Sequence, residues 1–312
     1  EIDLKRFLEL LQRLRESERR RWFLKIFWGS AMQLAFDEHS GPPNGECLSL
    51  FWLGQAGFWI EGSSTRILID PYLSDSLARK YHGQKHDHQR MIAAPIDIDV
   101  LPEIDYVLIS PAHTDHFDPD TLAPILSRFP ETRFVVPAAC EALARERIGQ
   151  EANLILVDAG DEVSLDGLRI TVFPAAHETE DLDSQGRHEF LGFGIEVDGV
   201  RFYHSGDTVP FPALDEAVSS FSPNIALLPV NGRDKERRAD GIPGNLTLDE
   251  AIFLARHAKV LVPHHWGMFS FNTEDPAKID LAASEHSEIQ IIRPQLGKTL
   301  KIIPGCGKSG LS

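Results

Sequence analysis

The chain has 312 residues, 42% of them hydrophobic and 25% charged, a balance that fits one large soluble domain or two moderate ones. It contains no run of about 18 apolar residues of the kind that spans a bilayer, and its net charge of −16 excludes a general nucleic-acid binder, because phosphate backbones demand clustered cations. Cys47, Cys140 and Cys306 are odd in number and far apart, which excludes a disulfide framework and a paired-cysteine metal site and makes a reducing, cytoplasmic location the expectation.

The first residues carry no short apolar core ending in a small-residue cleavage site. Residues 3 to about 36 are predicted to be helical. Leu4, Phe7, Leu8, Leu11 and Leu14 fall on one face, and Trp22, Phe23, Ile26 and Phe27 extend the apolar stripe beside Arg19, Arg20 and Arg21. A basic amphipathic helix can lie on a membrane surface, but such a stripe more often packs on the body of its own chain or on a partner subunit. A homo-oligomer is therefore expected. His39 to Gly45 is a breaker segment, so residues 1–45 read as a helical extension with a linker and residues 46–312 as the main domain.

From Cys47 the pattern changes to short strands, at Leu48–Leu53, Gly57–Ile60 and Arg66–Asp70. The apolar run Tyr106–Ile109 reads as a buried strand. Asp118-Pro119 then supplies an N-cap and a proline at the first helical position, predicting a helix to about Ser127. Further on, the chain reads as strand at Arg133–Val136, helix at Ala138–Arg147, and strands at Leu154–Val157, Leu168–Phe173, Phe190–Val197 and Val200–Tyr203. Ile225–Val230 is a strand, and Thr247-Leu-Asp-Glu250 is a capping box opening a helix to about His257. Val260–Val262 is a strand, Asp275-Pro276 starts a helix, and Ile289–Ile292 and Leu300–Ile303 close the series. This alternation predicts two sheets with helices outside them, an α/β (α+β) fold.

Five polar clusters each follow an apolar strand: His113/Asp115/His116, His177 after Ala175-Ala176, His204-Ser-Gly-Asp207, His264-His265-Trp266-Gly267, and Ile69-Asp70-Pro71. Strand ends in layered folds are where side chains from distant parts of a chain converge. Imidazole and carboxylate together suit zinc, manganese or iron. Singly, each has a structural alternative. A lone His177 is more often hydrogen-bonded than ligating, Asp207 also fits a turn, and His204 reads as structural. Adjacent His264 and His265 on a strand point opposite ways, so at most one faces a metal.

Together these residues resemble the metallo-β-lactamase superfamily, whose signature is a His-x-His-x-Asp-His loop followed by a later His, Asp and His. Those positions here are Pro111-Ala-His113-Thr-Asp115-His116, then His177, Asp207 and His265. Phe51-Trp-Leu-Gly-Gln-Ala-Gly-Phe58, Gln89-Arg-Met91, Tyr203-His-Ser-Gly-Asp207 and Val262-Pro-His-His265 are similar to the bacterial ascorbate-phosphate lactonase family. Pro174-Ala-Ala-His177 and His265-Trp-Gly also resemble N-acyl-phosphatidylethanolamine phospholipase D. The likeness spans roughly residues 20–303 and implies a four-layer αββα metallo-β-lactamase sandwich with an added N-terminal helix. It also implies one or two Mn2+ or Zn2+ ions per chain. Site one is His113, His177 and Asp207; site two is Asp115, His116, Asp207 and His265. Pro111 has no donor atom where the pattern has a histidine, so site one is expected to be the weaker. His82, His86 and His88 lie in a polar stretch that reads as a solvated loop rather than as a replacement ligand.

A metal held by these groups lowers the pKa of bound water and stabilises charge developing on a carbonyl or phosphoryl oxygen. No serine elbow or suitably placed cysteine offers a covalent alternative. The expected activity is metal-assisted hydrolysis through metal-bound hydroxide, with Asp115 or Asp207 orienting the water and passing its proton on. Lys85, Arg90 and Arg233 are candidates for holding a small anionic substrate. The resemblance favours a phosphorylated sugar lactone and Mn2+. A phosphodiesterase of phospholipase-D type, and a weakly active or inactive binding relative, are the alternatives. The glycine-rich segment Asn231–Asn245, with Arg237 and Arg238, is expected to lie over the pocket.

Overall fold

The computed structural model describes residues 32–303. Its first strands are β1 (Gln33–Phe36), β2 (Ser49–Gly54), β3 (Gly57–Glu61), β4 (Arg66–Ile69), β5 (Tyr106–Leu108), β6 (Arg133–Pro137) and β7 (Asn153–Val157). A second group follows: β8 (Glu162–Leu165), β9 (Leu168–Pro174), β10 (Leu191–Val197), β11 (Val200–His204), β12 (Ile225–Pro229), β13 (Val260–His264) and β14 (Gln290–Ile291). The last strand, β15 (Thr299–Ile303), returns to the first group. One sheet has the order β1-β15-β2-β3-β4-β5-β6-β7 and the other β14-β13-β12-β11-β10-β9-β8. Strands β4 to β7 run parallel to one another, as do β11 to β14. Their C-terminal ends are therefore aligned.

Side-chain alternation explains how the first sheet is buried on both faces. Leu50 and Trp52 of β2, Phe58 and Ile60 of β3, and Tyr106 and Leu108 of β5 point into the core between the sheets. Their neighbours Phe51, Leu53, Trp59 and Val107 point the other way, into a second core. That second core is closed by Leu122 and Ile125 of helix Pro119–Arg128 and by Ala144 of helix Glu141–Arg147. Helix Leu248–Leu254 covers the second sheet through Leu248, Ala251, Ile252 and Leu254. The result is the four-layer αββα sandwich. No helix among the described residues is long and apolar enough to cross a membrane.

The predicted helix over residues 3–36 lies mostly outside the described residues, but its last part is corrected. Residues 33–36 are strand, paired antiparallel with β15 from Gln33↔Ile303 to Phe36↔Leu300. Leu34 and Phe36, two residues apart, pack on the inter-sheet core, so the local period is 2 rather than 3.6. β1 therefore sits within the stretch read as an extension yet belongs to the main sheet. Ala138–Arg147 divides into a 3-10 turn at Ala138–Cys140 and a helix at Glu141–Arg147. The short elements Glu162–Leu165, Ser76–Lys80, Leu214–Phe221 and Lys235–Ala239 carried too little pattern to be predicted.

The capping box is formed as expected. Thr247 Oγ1 accepts from Glu250 N at 3.3 Å, and Glu250 Oε2 accepts from Thr247 N at 2.9 Å. Thr247→Ala is expected to cost about 1 kcal/mol, read as a lower urea midpoint with unchanged slope.

Candidate metal centre

Each chemistry-bearing side chain lies just past the C-terminal end of a strand. Asp70 follows β4, the loop with His113, Asp115 and His116 follows β5, His177 follows β9, Asp207 follows β11 and His265 follows β13. Because β4 and β5 belong to one sheet and β9, β11 and β13 to the other, the site straddles both. The backbone is contorted here: Gln55, Asp70, Glu178 and His265 all have positive φ without being glycine. Such conformations are costly and cluster where surrounding contacts hold them in place. Gly206 (φ 60) is obligatory on two counts, since a Cβ there would meet Leu191 O at 2.5 Å.

Two sets of donor atoms result. His113, His177 and Asp207 form one, and Asp115, His116 and His265 the other, each with its ligand atoms within 4.8 Å of one another. Asp207 joins them. Its Oδ2 lies 3.1 Å from His116 Nε2, 3.7 Å from His177 Nε2 and 4.0 Å from His113 Nδ1, while its Oδ1 lies 3.4 Å from His265 Nε2. His265 Nε2 is also 3.6 Å from Asp115 Oδ2. The second set therefore has four protein donors within reach and the first has three. His113 is the exposed member, with 40% of its side chain open to solvent.

The electrostatics suit a divalent cation. Burial pushes His177 down to about 4, outweighing the pull of Asp207, so its ring is neutral with a free lone pair. Burial likewise lowers His265. His116 goes the other way: desolvation is overcome by Asp207, Asp70 and Asp115, raising it well above its ordinary value. Desolvation of Asp207 is similarly overcome by His116 and His265, which hold it well below the carboxylate range. His116 Nε2 is buried, and its approach to Asp207 lacks hydrogen-bond geometry. A buried nitrogen ringed by carboxylates and neutral imidazoles is a donor set that a metal completes, releasing a proton as it binds.

Outer contacts fix the donors. Asp70, fully buried, accepts from Ser110 N at 2.8 Å and from His116 Nδ1 at 2.8 Å, which turns the Nε2 of His116 toward the site. Asn245 Nδ2 donates to Asp207 Oδ1 at 3.0 Å and to Asn231 Oδ1 at 3.1 Å. Asn231 in turn donates to Asn272 Oδ1 at 2.8 Å, where Arg237 Nη1 also donates at 2.6 Å. Gln55 Nε2 donates to Asp115 Oδ2 at 2.8 Å. Asp70→Ala is expected to weaken metal binding about 10- to 100-fold, measured by competition with a chromophoric chelator. Unchanged affinity would dismiss the orienting role.

The site opens into a cavity of about 610 Å³ lined by His113, Asp115, His177, Asp207 and His265 together with Lys80, Lys85 and Arg147. Asp240, Ile242 and Asn245 bring the Asn231–Asn245 segment onto its wall. Of the three cations read from sequence, Lys85 is in the lining, paired with Asp240 at 2.5 Å. Arg90 is turned away, donating to the carbonyls of Tyr72, Ser74 and Ile92. Arg233 donates through Nη1 and Nη2 to the two carboxylate oxygens of Glu250, outside the cavity lining. His86 and His88 line the cavity but belong to neither donor set. His86 Nε2 is 2.8 Å from Asp240 Oδ2, and His88 is half-buried and stacked on Tyr81. The solvated-loop reading is thus corrected for His86, packed on Phe271 and paired with Asp240, and for His88, which aromatic packing holds, while His82 remains exposed. His204 is structural, its Nε2 donating to Ala56 O at 2.9 Å and its ring stacked on His264. Asp118 caps its helix. Gln55 and Asn245 had no assigned role from sequence, although Gln55 lies in the Phe51–Phe58 stretch that carried the resemblance.

The chain matches the family model described as beta-lactamase superfamily domain over residues 65–266. It is 25% identical over 263 residues to a UPF0173 metal-dependent hydrolase of Methanoculleus marisnigri, covering 82% of this chain and 98% of the relative. Among solved structures, it is similar to Igni18, a metallo hydrolase of Ignicoccus hospitalis (TM-score 0.61, 22% identity, 81% of this chain and 97% of that one). It is also similar to the isothiocyanate hydrolase from Delia radicum gut bacteria (TM-score 0.65, 22% identity, 81% and 98%). These structural likenesses share the fold.

Proposed function

The chain belongs to the beta-lactamase superfamily, and from that premise we propose that it is a metal-dependent hydrolase acting on a small anionic lactone of the phosphorylated-sugar type. The observation that carries this reading is the convergence of two donor sets on Asp207 at the base of a cavity of about 610 Å³. Site two would hold its ion through Asp115, His116, His265 and Asp207; site one, with His113, His177 and Asp207, would hold one more weakly. A divalent ion bound there supplies Lewis acidity and brings the pKa of a water to near neutrality.

The chain's own residues supply the rest. Asp207, 3% exposed, is anchored by Asn245 and serves to hold the site together. Asp115 is the more open carboxylate, 17% exposed and part of the cavity wall, so it is placed to handle protons. In lactone hydrolysis the water oxygen bonds to the acyl carbon, the bond from that carbon to the ring oxygen breaks, and Asp115 carries the proton from the water to the departing alkoxide. Lys85, with Lys80 in the same lining, offers cations for an anionic substituent, whereas Arg147 there donates through Nη1 to the carbonyls of Ala112 and Phe117. The reading includes a cytoplasmic homo-oligomer that does not bind nucleic acid.

The test is a panel of anionic lactones, neutral lactones and phosphodiesters with the Mn2+- or Zn2+-loaded protein, beside Lys85→Ala. We expect anionic lactones to be preferred and Lys85→Ala to lower kcat/KM on them about tenfold, a share of what a charged hydrogen bond contributes because Asp240 already engages the ammonium. Equal rates on neutral lactones would overturn the anionic class. Cleavage of phosphodiesters alone would overturn the lactone, and no turnover on any substrate would favour a binding role.

A further inference from the structure

Gln55 lies between β2 and β3 and is fully buried, in the left-handed region at φ 50. Two contacts lock its backbone. Its carbonyl accepts from Trp52 Nε1 at 3.1 Å and from His265 N at 3.0 Å, so the turn is fastened directly to the residue that carries a site-two donor. Its side chain reaches into the donor set itself. Nε2 lies 2.8 Å from Asp115 Oδ2 and 3.2 Å from His265 Nε2, whereas Oε1 is buried with no hydrogen-bond partner among the described residues. Buried carbonyl-type oxygens without partners are rare, and one this close to a metal-binding cluster calls for a chemical role.

A glutamine amide has a donor end and an acceptor end of nearly equal size, exchanged by a half turn about its last torsion. Facing a carboxylate and an imidazole lone pair, the NH2 end is favoured, because both neighbours are acceptors. A cation among the same atoms reverses the sign of the local field, and the oxygen end is then favoured. We propose that Gln55 is a further ligand of the site-two cation, through Oε1, in addition to Asp115, His116, His265 and Asp207. Amide oxygen is a hard donor, suited to Mn2+ or Mg2+ more than to Zn2+, so Gln55 also biases the choice of metal at this site. The proposal rests on the metal-dependent reading above.

Calorimetric titration of the full chain with Mn2+ and with Zn2+, native and as Gln55→Leu and Gln55→Glu, tests it. Gln55→Leu is expected to weaken Mn2+ at least tenfold and Zn2+ less, while Gln55→Glu, which keeps an oxygen in place, binds Mn2+ as tightly as the native chain or more so. If the amide only donates to Asp115, a carboxylate in its place repels Asp115, and Gln55→Glu weakens Mn2+ more than Gln55→Leu; that order overturns the proposal. So does Mn2+ affinity unchanged in Gln55→Leu. A native chain that binds no divalent ion would overturn the metal-dependent reading as well, which distinguishes the two failures. Electron–nuclear double resonance on the Mn2+-loaded native chain, with glutamine carboxamide carbons labelled with 13C, needs no variant. A carboxamide coupling at bonding distance is expected, and its absence overturns the assignment.

Discussion

Asp207→Ala is expected to lower hydrolysis by at least about 10³-fold, the equivalent of the several kcal/mol a catalytic metal provides, and to release metal from both donor sets at once. Among the described residues Asp207 is the one whose two oxygens face both groups, with Oδ2 toward His116, His177 and His113 and Oδ1 toward His265. Every other donor serves a single set. Loss of His113 should therefore deplete only site one, whereas loss of Asp207 removes the shared carboxylate, which is also the anion that does most to raise the basicity of His116. Elemental analysis paired with turnover on the best lactone checks both parts. Activity that persists in Asp207→Ala would sink the mechanism, and full metal content would sink the bridging role.

Pro111→His is expected to raise metal content from about one to about two ions per chain, with a gain in site-one affinity of more than about 100-fold, since even outer partners of metal ligands contribute 10- to 100-fold. Site one relies on His113, His177 and Asp207, of which His113 is partly open to solvent and Asp207 is shared. Pro111 lies in the same loop, two residues before His113, and contributes no donor. Pro111→Ala separates gain of an imidazole from loss of a ring that restrains the backbone. Only the histidine variant should gain metal. Equal gain in both variants would assign the effect to loop freedom, and no gain in either would remove Pro111 from the account.

Elements with strong local signals were readable from sequence, and those held by distant partners were not. The Thr247–Glu250 box and the Asp118-Pro119 start are short-range hydrogen-bond chemistry, complete within four residues. β1 was obscured because the preceding apolar stripe has helical spacing, and what makes residues 33–36 a strand is β15, at the far end of the chain. Charge was visible but its destination was not: Arg90 is consumed by three backbone carbonyls and Arg233 by Glu250. Histidines and aspartates announce their chemistry by type, and the structure brings six of them together. Gln55 and Asn245 are amides of no special reactivity. They gain meaning only when the topology sets them 2.8 Å from Asp115 and 3.0 Å from Asp207.

The position of β15 between β1 and β2 bears on how the molecule is made. Of the described strands a ribosome delivers β1 first and β15 last, yet β1 pairs among them with β15 alone. The nascent chain can assemble β2 through β7 as they emerge, but β1 must wait for β15 until every other described strand has been made. Closure of that edge is the step with the greatest separation in sequence, and so the one most exposed to delay and to pairing with a neighbouring chain.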